Sequence, residues 1–182
     1  MRASVASRPT SSSTASIDGV CVWPVTATRS RVVGVLATVG TLESARFAAL
    51  LEQYAGDVEI VTQACPGLVE QVEAGEIDAP RTRELVARYT RPLLARGADT
   101  LVLGCTHYPF LRAVIAAAVG PDVRLIDTGE AVARQVVRRL PGEGVPALGA
   151  KPSERFWTTG DAVAATRIVT QLWGSPANVE AL

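Results

Sequence analysis

An α/β fold built on a parallel sheet is the architecture that residues 31–173 predict, and three observations carry the prediction. Short apolar, β-branched runs alternate with longer runs of helical spacing. Alternation of this kind requires crossover connections and therefore parallel strands. The length of 182 residues is enough for one ordinary domain, or two small lobes, with a real hydrophobic core.

The elements follow in order. Residues 1–25, MRASVASRPTSSSTASIDGVCVWPV, are rich in Ser, Thr and Ala, show no period and carry almost no acid, which predicts a disordered leader with Cys21 as an unstructured thiol. RVVGVLA (31–37) reads as a buried strand. TLESARFAALLEQYA (41–55) reads as a helix capped by Thr41, with Leu42, Ala45, Ala49 and Leu50 along one side. DVEIVTQA (57–64) is a second strand and PGLVEQVEAG (66–75) a short helix. Pro80 opens and Gly97 closes a longer helix over 80–97. ADTLVLG (98–104) is the third strand, and PFLRAVIAAAV (109–119) has helical spacing with Pro109 at its start. VRLID (123–127) and RFWTT (155–159) are further strands, followed by helices over 129–140 and 161–173. Between them LPGEGVPALGAKPSE (140–154) is a long loop.

Composition excludes several classes of function. Net charge is zero, with 18 basic and 18 acidic residues mixed along the chain, so no basic surface invites nucleic acid. No apolar run reaches the ~20 residues of a membrane span, and the first residues lack the apolar core of a secretory signal. A cytoplasmic protein is expected. Three cysteines and one histidine make neither a disulfide framework nor a zinc site. The single lysine, Lys151, lies in the loop-like stretch GAKPSE, a poor place for a Schiff-base amine, which argues against pyridoxal phosphate. Neither a metal nor a cofactor is expected.

The stretch GCTHYP (104–109) holds the only histidine, His107, two residues after Cys105. Here a predicted buried strand gives way to a predicted helix. Ligands of open parallel sheets bind outside the carboxyl ends of the strands, and a helix N-terminus favours a thiolate. Cys105 is therefore placed to be reactive, with His107 as the neighbouring base and Thr106 able to offer its hydroxyl and N–H to an anion. The alternative is a small buried Cys beside an ordinary loop His. Cys65 also follows a predicted strand and precedes a Pro, so position alone nominates it almost as strongly. Asp127 and Asp161 each end a strand and begin a helix, where capping accounts for them. Arg134, Arg138 and Arg139 form a charged, solvated helical face.

Five stretches together, GVLATVGTLES (34–44), ACPGLVEQVEAG (64–75), LVLGCTHYPFL (101–111), LIDTGEAVA (125–133) and FWTTGD (156–161), resemble the cofactor-independent glutamate racemases of the aspartate/glutamate racemase family. The resemblance runs from about Thr26 to the C-terminus. It implies two α/β lobes with glutamate between them and a two-base mechanism. One cysteine thiolate takes the α-proton from one face, and a second thiol delivers a proton to the other. By resemblance Cys105 is the second of the pair and His107 assists it. Glu73 aligns with an acid that tunes the first cysteine, although a solvated helical carboxylate explains it equally. Thr41 and Thr38, in ATVGT, match a turn that holds the substrate's polar groups, and capping alone also explains Thr41.

The first cysteine should come from a CNTA-like motif, and no such motif is present. The resemblance therefore implies a parallel-sheet fold of the aspartate/glutamate racemase type in which the first half of the N-terminal lobe is missing. Residues 26–118 would form a complete lobe carrying Cys105, and residues 119–182 the C-terminal part of the other. The expected function is interconversion of L- and D-glutamate to supply peptidoglycan, impaired by loss of the first cysteine. A homo-oligomer is compatible with this reading. Alternatives are a non-catalytic fragment that self-associates or binds a partner, and a Cys-His hydrolase, which would also need an oxyanion hole.

Overall fold

A computed structural model describes residues 28–140 and 153–182. The expected disordered leader 1–25 with Cys21, Lys151 and most of the 140–154 loop lie outside the described residues. Four strands form one parallel sheet in the order β2-β1-β3-β4: β1 (Val32–Ala37), β2 (Glu59–Ala64), β3 (Thr100–Leu103) and β4 (Arg124–Asp127). The register runs from Val32 opposite Glu59 to Ala37 opposite Ala64, from Val33 opposite Thr100 to Leu36 opposite Leu103, and from Thr100 opposite Arg124 to Leu103 opposite Asp127. β1 and β3 are the central strands, and their apolar sequences follow from burial on both faces. Val33, Leu36, Ala37, Leu101 and Leu103 are all buried.

The helices are α1 (Val39–Leu42), α2 (Ala45–Tyr54), α3 (Leu68–Glu73), α4 (Pro80–Ala95), α5 (Arg112–Val119), α6 (Gly129–Arg139) and α7 (Ala162–Trp173). α4 carries the largest apolar face: Leu85, Val86, Tyr89 and Leu93 pack into a core with Leu36, Leu68, Val72, Leu101, Leu111 and Ile115. Gly34 lets α4 approach the sheet, because a Cβ there would sit 2.5 Å from Leu101 Cδ2 and 2.9 Å from Leu93 Cδ1. A second, two-stranded parallel sheet pairs β5 (Phe156–Thr158) with β6 (Val179–Ala181). Sequence reading did not find β6; three residues are too few to show an alternation.

Several expectations are corrected. The helix expected over 41–55 is two helices, and Thr41 does not cap it. Thr38 caps α1, accepting a hydrogen bond from Thr41 N, and Ser44 caps α2, accepting from Phe47 N at 3.2 Å. The short helix expected from Pro66 starts at Leu68, because Gly67 before it takes a left-handed conformation at φ 88°. The helix expected from Pro109 begins as a 3-10 turn, Tyr108–Leu111, and becomes α-helical at Arg112. Asp161 caps α7 as expected, accepting from Ala164 N at 2.8 Å. Asp127 accepts from Gly129 N at 3.1 Å and pairs with Arg112 at 2.8 Å, while Thr128 occupies the cap position of α6. The main sheet crosses the lobe boundary expected between residues 118 and 119, since β4 pairs with β3.

Candidate active site

From β1 the chain moves outward to β2 on one side, and from β3 it moves outward to β4 on the other. The carboxyl ends of β1 and β3 thus form a topological switch point, the crevice where open α/β sheets bind ligands. Thr38 follows β1 there directly. Cys105 follows β3 after Gly104, whose N–H donates to Leu36 O at 2.8 Å. A Cβ on Gly104 would lie 3.0 Å from that same carbonyl oxygen, so a side chain here would force the two strand ends apart. Cys65 closes the row, its N–H donating to Ala37 O at 3.0 Å.

Cys105 is half-buried and sits in a tight turn rather than on an α-helix. Tyr108 N donates to Cys105 O at 3.2 Å, and Phe110 N donates to His107 O at 3.2 Å. The α-helical N-terminus expected beside the thiol therefore lies a full 3-10 turn further on, at Arg112. Tyr108, 0% exposed, anchors this turn in the core, and its burial pushes the phenol well above its ordinary range.

The imidazole of His107 joins the thiol to a carboxylate. Cys105 Sγ is 3.8 Å from His107 Nδ1, and His107 Nε2 is 3.2 Å from Glu73 Oε1. An ionised carboxylate can only accept, so Nε2–H donates to Glu73. The neutral ring then has its lone pair on Nδ1, facing the Cys105 S–H. A Cys-His-carboxylate chain in this order can move a proton from thiol to ring and back. Thr106 Oγ1 is 3.5 Å from the same Nδ1, within reach of the group the thiol protonates.

Glu73 is held by the last turn of α3, whose Leu68 and Val72 are buried in the core. Its carboxylate is carried over by resemblance as the tuner of a first cysteine. The geometry places it on His107, on the Cys105 side. On that flank a cavity of about 640 Å³ is lined by Glu73, Thr106, His107, Phe110 and Thr158, and closed by Ile168 and Leu172 of α7. Phe110 and Thr158 were not singled out from sequence. Both lie inside the GCTHYPF and FWTTGD stretches, but nothing local marks them as facing the same space.

Thr38 and Thr41 join each other, Oγ1 to Oγ1, at 2.8 Å. They lie at the switch point, apart from the residues lining the cavity. Cys65 is excluded as the reactive thiol by its surroundings: it is 2% exposed, its S–H donates to Gln63 O at 3.3 Å, and burial pushes its pKa up to about 12. Among the described residues no three His, Cys, Asp or Glu side chains come together as a set that could hold a metal ion, and no helix is long and apolar enough to cross a membrane.

A family model described as Asp/Glu/Hydantoin racemase matches residues 21–136, five residues earlier than the start expected from sequence. Over 154 residues the chain is 54% identical to a protein of Pseudomonas putida named glutamate racemase, covering 85% of this chain and 58% of that protein. A solved glutamate racemase of Bacillus anthracis is similar with a TM-score of 0.75 and 30% identity, covering 89% of this chain and 61% of that one. The Escherichia coli glutamate racemase in complex with L-glutamate and the activator UDP-MurNAc-Ala is similar with a TM-score of 0.72 and 26% identity, over 88% and 61%. The chain thus spans about three fifths of the length of the proteins it matches.

Proposed function

The chain belongs to the Asp/Glu/hydantoin racemase family, and from that premise we propose that it contributes one face of a two-base site that interconverts L- and D-glutamate. The observation that carries the proposal is the chain Cys105–His107–Glu73 at the switch point, with 3.8 and 3.2 Å between its members. The Cys105 thiolate takes the α-proton of one enantiomer; the C–H electron pair delocalises into the substrate carboxylate as the S–H bond forms. His107 exchanges that proton with solvent, and Glu73 holds the ring in the tautomer that lets it do so. Thr106, Thr38 and Thr41 offer hydroxyls to the polar ends of glutamate. The family relationship supports D-glutamate for peptidoglycan as the product and the cytoplasm as its place.

Inversion needs a second acid on the opposite face of the α-carbon. Among the described residues no other thiol can serve, because Cys65 is buried and holds its proton. With Cys21 replaced by Ala, the chain should therefore racemise glutamate orders of magnitude more slowly than the Pseudomonas putida relative. Circular dichroism of each glutamate enantiomer incubated with the purified chain tests this. A residual rate that disappears in Cys105→Ala fits the proposal. Racemisation at the relative's rate, or a rate unchanged in Cys105→Ala, would overturn it.

A further inference from the structure

Glu73 ends a helix too short to hold its own last turn. α3 has six residues, fewer than two turns, and Gly67 gives its start no side-chain cap. The backbone that aims the Glu73 carboxylate continues into a tight turn. Gly75 N donates to Val72 O at 3.0 Å and Glu76 N to Gln71 O at 2.8 Å, with Gly75 in the left-handed region at φ 76°. Side chains from two other helices clamp this turn. From α4, the hydroxyl of the fully buried Thr82 donates to Glu76 O and lies 3.0 Å from Gln71 Oε1. From α7, Gln171 Nε2 donates to Gly75 O at 2.8 Å. Among the described residues this is the one hydrogen bond between residues 153–182 and the rest of the chain. Gly75 permits the approach, because a Cβ there would lie 2.7 Å from Gln171 Oε1 and 2.9 Å from Ile168 Cδ1. Ile168 and Leu172, which flank Gln171 along α7, close the cavity beside His107, and Leu172 packs onto the core.

We propose that Gln171 is a positioning residue: by holding Gly75 O it aims the Glu73 carboxylate at His107 Nε2, and so keeps the ring in the tautomer that serves Cys105. The inference rests on the Cys105–His107–Glu73 reading and adds that α7, the helix that closes the cavity, also sets the acid–base chain. Glu73 is 63% exposed and its contact with His107 measures 3.2 Å. That is the outer end of the hydrogen-bond range, so a shift of the turn by about 1 Å would break it. Water would then take both partners, since an exposed carboxylate loses little by turning away. The Thr82 clamp grips the turn from the core side; Gln171 grips it from the cavity side.

The chain has a single histidine, so two-bond proton–nitrogen correlation NMR of the tag-free protein reports the tautomer of His107 without assignment. At pH 8 the parent should show the Nε2–H form. Glu73→Ala should mix the tautomers and draw the two ring-nitrogen shifts together. Gln171→Met keeps the length of the side chain and removes the donor; it should move the shifts in the same direction, and should move them no further when added to Glu73→Ala. Gln171 is exposed, so the melting temperature should stay near the parent's. Cys105-dependent α-proton exchange of glutamate should slow about threefold to tenfold in Gln171→Met, and not at all when Glu73 is already Ala. Shifts that respond to Glu73→Ala but not to Gln171→Met would overturn the role of Gln171 and leave the Cys105–His107–Glu73 reading standing. An equal effect of Gln171→Met in the Glu73→Ala background would mean general loosening, and would overturn it as well. Mixed tautomers in the parent would remove the Glu73–His107 contact and both readings with it.

Discussion

Glu73 and His107 lie 34 residues apart in sequence and meet at 3.2 Å, so the role of each depends on a contact that no local pattern displays. Cys105 and His107 were legible because they are neighbours in one turn. Glu73 was legible only as an aligned acid, and its contact with His107 was not legible. Because the pair is partly exposed, at 33 and 63% of its side-chain surface, its direct contribution to stability is small, and its effect should appear in rate. Glu73→Gln is predicted to lower Cys105-dependent α-proton exchange roughly tenfold to hundredfold, part of the ~10²–10⁴ that acid–base groups supply. It should leave the melting temperature unchanged and alter the pH profile, and an unchanged rate and profile would show that the contact is incidental. The thiols offer a second check. In a Cys21→Ala background at pH 8, iodoacetamide should label Cys105 and spare Cys65, whose pKa is about 12. Equal labelling, followed by peptide mass analysis, would contradict the assignment.

Within elements, the sequence announced each strand and most helices because apolar period and Gly or Pro punctuation coincide there. It misplaced starts where the turn chemistry was non-local or ambiguous. Thr38, Thr41 and Ser44 are all acceptable caps, and only the break between α1 and α2 decides which of them act. The entry to the sheet was not legible at all. Asp99, just before β3, accepts hydrogen bonds from Thr28 Oγ1 at 2.6 Å, Arg29 N at 2.7 Å, Ser30 N at 2.8 Å and Thr100 Oγ1 at 3.0 Å. Partial burial pushes its pKa up, but these donors outweigh it and hold the carboxyl at about 2. A carboxyl depressed in the folded state stabilises it above the unfolded pKa of ~4, and that contribution is lost as pH falls toward 2. Asp99→Ala should therefore cost about 1 kcal/mol at pH 7, after allowance for solvent screening. Urea unfolding at pH 7 and pH 2.5 checks the sign: the gap between variant and parent should narrow at the lower pH. A packing prediction belongs to the same scale. Gly104→Ala should force the ends of β1 and β3 apart at Leu36 O, destabilising the chain by about 1–3 kcal/mol and slowing exchange at Cys105 as well.

Across the molecule, the parallel sheet and the position of the thiol at its carboxyl edge followed from the order of apolar runs. The switch point between β1 and β3 did not, because strand order is a property of pairing and not of sequence. These features meet at Cys105, on the carboxyl edge of the sheet, and in the function proposed above it is one acid–base group working on one face of an α-carbon. Proton NMR of each glutamate enantiomer incubated with the purified chain in deuterated water tests this most directly, with Cys105→Ala and His107→Ala alongside. The account predicts loss of the α-proton signal from one enantiomer with retention of configuration, abolished by Cys105→Ala and slowed by His107→Ala. No exchange with either enantiomer, or exchange that persists in Cys105→Ala, would contradict it.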